Sequence, residues 1–264
     1  MRHVSCALFA VLALSVMGAR ADWPEVQKRG ALRVLVMLDT RRSEFFALRQ
    51  GSFQGFDQEV LDGFAQLHRL KLEVVPVSAW DVLVPGLLDR KGDLIAGRFT
   101  DTEARRKVID FTTEVFPTRN VVITRRPHPP VNTVEELRRE RVGTIKGTSM
   151  AEAIDEARVP PANVDDAIPP GAYAEALRSG RITAAVWGVE SAVATSREDP
   201  AIELGLFLGP RRSLAYGVRK GDTALKRALD EYILNLRKTP TWNRLVVKYF
   251  GEAAPEILRK ARTQ

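Results

Sequence analysis

Residues 31–38 (ALRVLVML) are apolar except for Arg33, the pattern of a strand covered on both faces. After a polar stretch, Phe56, Val60, Leu61, Phe64 and Leu67 recur at helical spacing and predict an amphipathic helix ending near His68. Residues 72–77 predict the next strand, 80–88 a helix and 93–96 a short strand. This alternation argues for a parallel sheet with right-handed crossovers. A further apolar run at 121–124 leads into Pro127-His128-Pro129-Pro130, which marks a boundary. Beyond it Thr133 and Glu136 have capping-box spacing. A second series then predicts strands at 142–145, near Val164 and at 184–187, with helices from Ser149, over 172–177 and from about Glu190. A last strand is read at 214–218. Stripes through Leu225, Leu229, Ile233 and Leu236, then Trp242, Leu245 and Tyr249 after Pro240, predict a helical end. Two successive α/β series predict two lobes with a cleft between them.

The first residues fix the expected compartment. Arg2 and His3 form a positive start, residues 4–18 are almost wholly apolar, and Ala19-Arg20-Ala21 places small residues where a signal peptidase reads. We expect a signal peptide over 1–21, cleaved after Ala21, and export to the periplasm. The apolar run is too short for the roughly 20 residues of a membrane span. Cys6 is the only cysteine and lies within this segment, so the exported chain is expected to form no disulfide and no thiolate metal site.

Composition is that of an ordinary globular protein, 45% hydrophobic and 28% charged. The formal charge of +7 is spread in pairs such as Arg41-Arg42, Arg105-Arg106 and Arg211-Arg212, with acidic residues between them. Aromatic and basic residues do not interleave, so nucleic acid is not expected as a partner. A mild attraction for anions is the economical reading.

Two helix starts carry candidate chemistry. At Gly147-Thr148-Ser149, Ser149 and Glu152 have capping-box spacing, and Gly147 permits a tight turn after the strand. Such a junction is either a plain cap or an anion site made of free N–H groups at a positive dipole end. At Thr100-Asp101-Thr102, Thr102 is a good N-cap and puts Arg105 in the first helical turn, where a cation opposes the dipole. Rules of this kind are broken at functional sites. Arg105 is therefore either a fork for a carboxylate or an exposed cation paired with Glu103 or Asp110.

Several segments in order give a specific resemblance: LRVLVML, GSFQGFDQEVLDGFA, VSAWDVLVPGLLDRKGDLIAG, TDTEARRKVIDFT, VGTIKGTSMAEAI, LRSGRITAAV, LAYGVRKGDTALKRALDEY and LVVKYFGE. The most diagnostic are Gly55-Phe56-Asp57 and the pattern from Thr100 to Phe111. The chain resembles the family 3 periplasmic solute-binding proteins, the polar amino-acid-binding components of ABC importers. The resemblance implies a periplasmic-binding-protein-like α/β fold of two lobes joined by two crossing hinge strands. Lobe one would hold 22–120 and 212–264, and lobe two 121–211. It implies that Arg105 and Thr100 meet a ligand carboxylate from lobe one, Thr148 and Ser149 from lobe two, and that closure follows binding. It implies an ABC permease as partner and a monomer, with no cofactor.

Departures are as informative. Where such proteins carry an Asp for the ligand ammonium, this chain has Gly188, with Glu190 two residues on. Either Glu190 replaces that Asp or no ammonium is bound. The usual acidic position near the first strand reads Met37, with Asp39 close by. Phe45 or Phe46 would supply the aromatic platform and Phe53 a second wall, or all three are core.

Two other classes compete with a binding protein. Cyclohexadienyl dehydratases look like members of this family, and Glu190 could act there as general acid or base. The chain is also similar to the binding half of membrane-bound lytic transglycosylase F, which would make it a sensing or accessory module. The sequence up to Gln264 holds no lysozyme-like segment, so transglycosylase activity is not expected. No Gly-x-Ser-x-Gly occurs, and three isolated histidines make no metal cluster.

Overall fold

The computed structural model describes residues 23–37, 44–169 and 171–263. The signal segment with its cleavage point, and Asp39, lie outside the described residues. Twelve strands occur along the described chain: β1 (Ala31–Met37), β2 (Ala47–Arg49), β3 (Ser52–Gln54), β4 (Lys71–Val77), β5 (Leu94–Ala96), β6 (Ile109–Phe111), β7 (Phe116–Arg125), β8 (Val142–Gly143), β9 (Val164–Asp165), β10 (Ala184–Gly188), β11 (Ile202–Leu214) and β12 (Gly217–Arg219). Ten of them form two sheets, one of order β4-β1-β5-β12-β6 and one of order β11-β7-β10-β8-β9. The protein is a two-lobed α/β molecule with one five-stranded sheet in each lobe, and β2 and β3 pair as a separate hairpin.

The apolar run of β1 is explained by burial on both faces. Leu32, Val34 and Val36 face one core and Leu35 and Met37 another. In the second sheet Val121 and Ile123 of β7 pack on one side and Val122 on the other. Successive side chains of a strand point to opposite faces, so a strand between two helical layers must be apolar throughout.

The sheets are mixed, whereas the alternation predicts parallel ones. β4 and β5 flank β1 in parallel, but β12 joins β5 and β6 antiparallel. The reason is connectivity. The chain leaves the first sheet after β6, builds the second, and returns along β11 to enter from the opposite direction. β7 and β11 pair antiparallel from Ile202↔Arg125 to Leu214↔Phe116, with register shifts between Leu204 and Phe207 and between Leu208 and Arg212. The expected boundaries at 120/121 and 211/212 fall inside these two strands. The strand read at 214–218 is divided at Ala215 and Tyr216, where the chain passes between sheets. The helix read at 80–88 begins only at Leu83, after a turn at Asp81 and Val82.

The capping box at Thr133 and Glu136 forms as spaced. The last helix, Ala254–Thr263, packs against the helix Val189–Glu198 and against β7, with Ile257 and Ala261 buried. No helix among the described residues is long and apolar enough to cross a membrane.

Candidate functional site

The cleft opens at the C-terminal ends of β1 and β5, where open α/β sheets place ligands. Beyond β5 the chain turns through Gly97 and Arg98, both at positive φ (+85° and +63°), and reaches Thr102. Thr102 caps the helix Glu103–Arg106, its hydroxyl accepting from the Arg105 N–H at 3.3 Å. This cap leaves Arg105 in the first turn, facing inward and 7% exposed.

Arg105 pairs with neither Glu103 nor Asp110. Its Nη1 donates to the Thr100 carbonyl at 2.5 Å and its Nη2 to the Gly147 carbonyl of the other lobe at 2.7 Å. The guanidinium lies 4.0 Å from the Phe99 ring centroid. Among the described residues no carboxylate comes within ion-pair distance of it. Burial pulls its pKa down to about 10, partly opposed by Glu152, so it stays charged at neutral pH. Two of its five N–H groups are engaged by carbonyls, and three remain. A buried, unpaired cation of this kind is costly unless an anion completes it.

The facing wall comes from the helix Ser149–Glu156. Its cap is Thr148, not Ser149, and this corrects the spacing-based reading. Thr148 has extended backbone and accepts from the Ala151 N–H at 3.3 Å. Glu152 is thereby released from a capping box and accepts from the Thr102 hydroxyl across the cleft at 3.1 Å. Ser149, already helical, brings its hydroxyl to 3.2 Å from that of Thr100. Gly147 sits at φ +75°, and a Cβ there would lie 2.5 Å from the Asp81 nitrogen of the first lobe. Only glycine lets the lobes approach so closely.

Glu190 is also brought to the cleft. It is 3% exposed and accepts from the Thr118 hydroxyl at 2.6 Å. Burial pushes its pKa up, opposed in part by the charge of Arg98 and by Thr118. A Cβ on Gly188 would lie 2.2 Å from Glu190 Oε1. The Glu190 carboxyl thus fills the space that a side chain at 188 would need.

Thr100, Arg105, Thr118, Asn120, Thr148, Ser149 and Glu190 surround a narrow polar recess of about 20 Å³. Trp80, Arg98, Met150 and Gly188 line this recess and also a wider cavity of about 350 Å³. The wider part is walled by Met37, Trp80, Ile145, Tyr173 and Trp187, with Glu44, Arg178 and Glu198 among its charged groups.

A model of the bacterial extracellular solute-binding proteins, family 3, matches residues 32–252. The chain belongs to that family. The histidine-binding periplasmic protein of Escherichia coli K12 is 26% identical over 262 residues, covering 95% of this chain and 97% of that one. The membrane-bound lytic murein transglycosylase F of Desulfosudis oleivorans is 21% identical over 222 residues, covering 83% of this chain and 48% of its own. Among solved structures, the P235GK mutant of the arginine-binding protein ArgBP from T. maritima superposes with a TM-score of 0.77 at 26% identity, covering 87% of this chain and 99% of that one. The ancestral amino acid-binding protein AncCDT-1, a precursor of cyclohexadienyl dehydratase, gives 0.77 at 26% identity, covering 86% and 98%. The two-lobed fold read from the resemblance is that of these amino-acid-binding proteins.

Of the two readings open for Phe45, Phe46 and Phe53, cleft wall or core, the packing favours the core. Phe45 is fully buried among Phe56, Phe116 and Phe250, and Phe46 packs in the same core beside half-buried Phe53. None of the three lines the cleft cavities. Trp80, Tyr173 and Trp187 do so instead, the last two in an edge contact with ring centroids 6.2 Å apart. In the sequence, Trp80 and Tyr173 look like ordinary helix-start residues and Trp187 like the end of a strand. Arg98 was also missed. Its only local signal is a Gly-Arg pair directly after a buried strand.

Proposed function

We propose that this chain is a periplasmic solute-binding protein that captures a small carboxylate-bearing ligand, an amino acid or a related compound, by closing its cleft. The observation that carries this is Arg105: a buried cation without a carboxylate partner among the described residues, set between both lobes beside Thr100, Thr148 and Ser149. The ligand carboxylate replaces the Gly147 carbonyl as acceptor, and Ser149 and Thr100 add hydroxyls. Exchanging one acceptor for a charged one makes the bond stronger. The polar recess holds about one water, so entry requires the lobes, 22–120 with 212–264 and 121–211, to part about β7 and β11. The wide cavity takes the ligand body against Trp80, Trp187 and Tyr173. Family membership supports delivery to an ABC permease, and the small-residue pattern Ala19-Arg20-Ala21 supports release after cleavage at Ala21, as a monomer in this reading.

Binding to the native state raises the unfolding temperature, so thermal-shift screening of amino acids and simple carboxylates identifies the ligand. Arg105→Ala is expected to abolish the shift. Full affinity in that variant defeats the carboxylate-grip reading.

A second reading rests on Glu190, a carboxyl that burial pushes toward its protonated form within the cleft. Such a group suits general-acid chemistry, and AncCDT-1 places an ancestor of a dehydratase on this fold. Turnover of prephenate or arogenate by the purified protein, lost in Glu190→Gln, is the result that moves this reading ahead of transport.

A further inference from the structure

Arg98 is held in the cleft at a conformational cost. It is a non-glycine residue at φ +63°, in the left-handed region that L-residues avoid. Buried Asp57 enforces this turn: its Oδ2 accepts from the Gly97 N–H at 3.1 Å and the Arg98 N–H at 3.2 Å, while Tyr216 donates to Oδ1 at 3.1 Å. The side chain then crosses to the other lobe, where Nη1 donates to the Ser191 hydroxyl at 2.7 Å, with the guanidinium 6.0 Å from the Trp80 ring centroid. Among the described residues, Nε and Nη2 have no hydrogen-bond acceptor, and no carboxylate lies within ion-pair distance. The same guanidinium lines the polar recess with Arg105 and the wider cavity beyond it.

We propose that Arg98 receives a second acidic group of the ligand, so that the preferred ligand is a short dicarboxylate. This rests on the reading that Arg105 grips the first carboxylate. Two cations on one small recess place the two acid groups close together, which favours a short chain between them. Glu190 also faces the recess and Glu44 the cavity. A rival role for Arg98 is therefore to balance the charge of Glu190, whose ionised form it favours.

The test is calorimetric titration of the full exported chain with matched pairs: succinate against butyrate, glutarate against pentanoate, and L-glutamate against L-norvaline. The wild type is expected to prefer the dicarboxylate of at least one pair by more than about tenfold. Arg98→Gln should weaken that dicarboxylate by about 30-fold and its monocarboxylate partner by less than about threefold, the range of a lost charged hydrogen bond. Adding Glu190→Gln should leave this selective loss in place. The proposal is overturned if no dicarboxylate binds, if the wild type shows no preference, if Arg98→Gln weakens both members equally, or if Glu190→Gln restores affinity. Arg105→Gln separates the two readings: it should weaken every member, and undiminished binding there defeats the underlying carboxylate reading instead.

Discussion

Asp57 and Gly188 are single residues on which much of the cleft geometry depends. Burial raises the Asp57 pKa from 3.8 to about 6, although three hydrogen bonds pull it down. The folded protein therefore holds this proton more tightly than the unfolded chain. The resulting stability is fully present below about pH 4 and lost as pH rises through about 6, worth about 3 kcal/mol in total. Asn keeps an acceptor for Gly97 and Arg98 and never ionises. Asp57→Asn is thus expected to gain stability relative to wild type between pH 4 and pH 7, read by urea denaturation at both values. Parallel pH profiles for the two proteins refute it. At Gly188 the backbone is ordinary, φ −66° and ψ 140°, so the cost of a side chain is steric alone. Gly188→Ala should destabilise by about 1–2 kcal/mol because the Glu190 carboxyl must leave its bond to Thr118. Glu190→Ala in the same chain should remove most of that penalty, and additive effects in a double-mutant cycle argue against the interlock. The Thr102 cap and the place of Arg105 in the first helical turn were legible in the sequence because helix-start chemistry is local, whereas ligand roles for Thr100, Thr148 and Ser149 came from the family resemblance. Arg98 was not legible, because its conformation is set by a carboxylate 41 residues earlier in the chain.

Elements with one job were easy to read and elements with two were not. β1, β4 and the helix Phe56–Leu67 follow their apolar periodicity because each faces a fixed core. The direction of β12 was hidden, since it depends on the return of the chain from the second sheet. The Thr148 cap shows the same limit on a smaller scale. Spacing alone offers Ser149 with Glu152, but the extended backbone of Thr148 makes it the cap and leaves Glu152 to meet Thr102 across the cleft. Phe45, Phe46 and Phe53, just before the helix Phe56–Leu67, were ambiguous for a related reason. An aromatic run before a helix fits either a cleft wall or a core, and for Phe45 the arrival of Phe116 and Phe250 from distant parts of the chain decides for the core.

At the scale of the whole molecule, Ile257 lies outside both cleft cavities, so its packing is expected to be separable from ligand response by experiment. The helix Ala254–Thr263 comes from the end of the chain yet seals β7 and the helix Val189–Glu198, with Ile257 fully buried. Ile257 does not line either cleft cavity. Ile257→Ala leaves a void in the core and should cost about 2–4 kcal/mol. For a chain of this size that lowers the unfolding temperature by roughly 4–16 °C. The nearby Arg197–Glu256 ion pair is partly exposed, 45% and 37%, and Glu256→Gln should cost well under 1 kcal/mol. A ligand at a hundred times its Kd adds about 2.7 kcal/mol to any protein that retains the site. Ile257→Ala is therefore expected to start lower and still show the full ligand-induced rise, whereas Arg105→Ala should show no rise. If Ile257→Ala loses the rise as well, the final helix helps set the closed cleft, and the division between a packing region and a binding region fails.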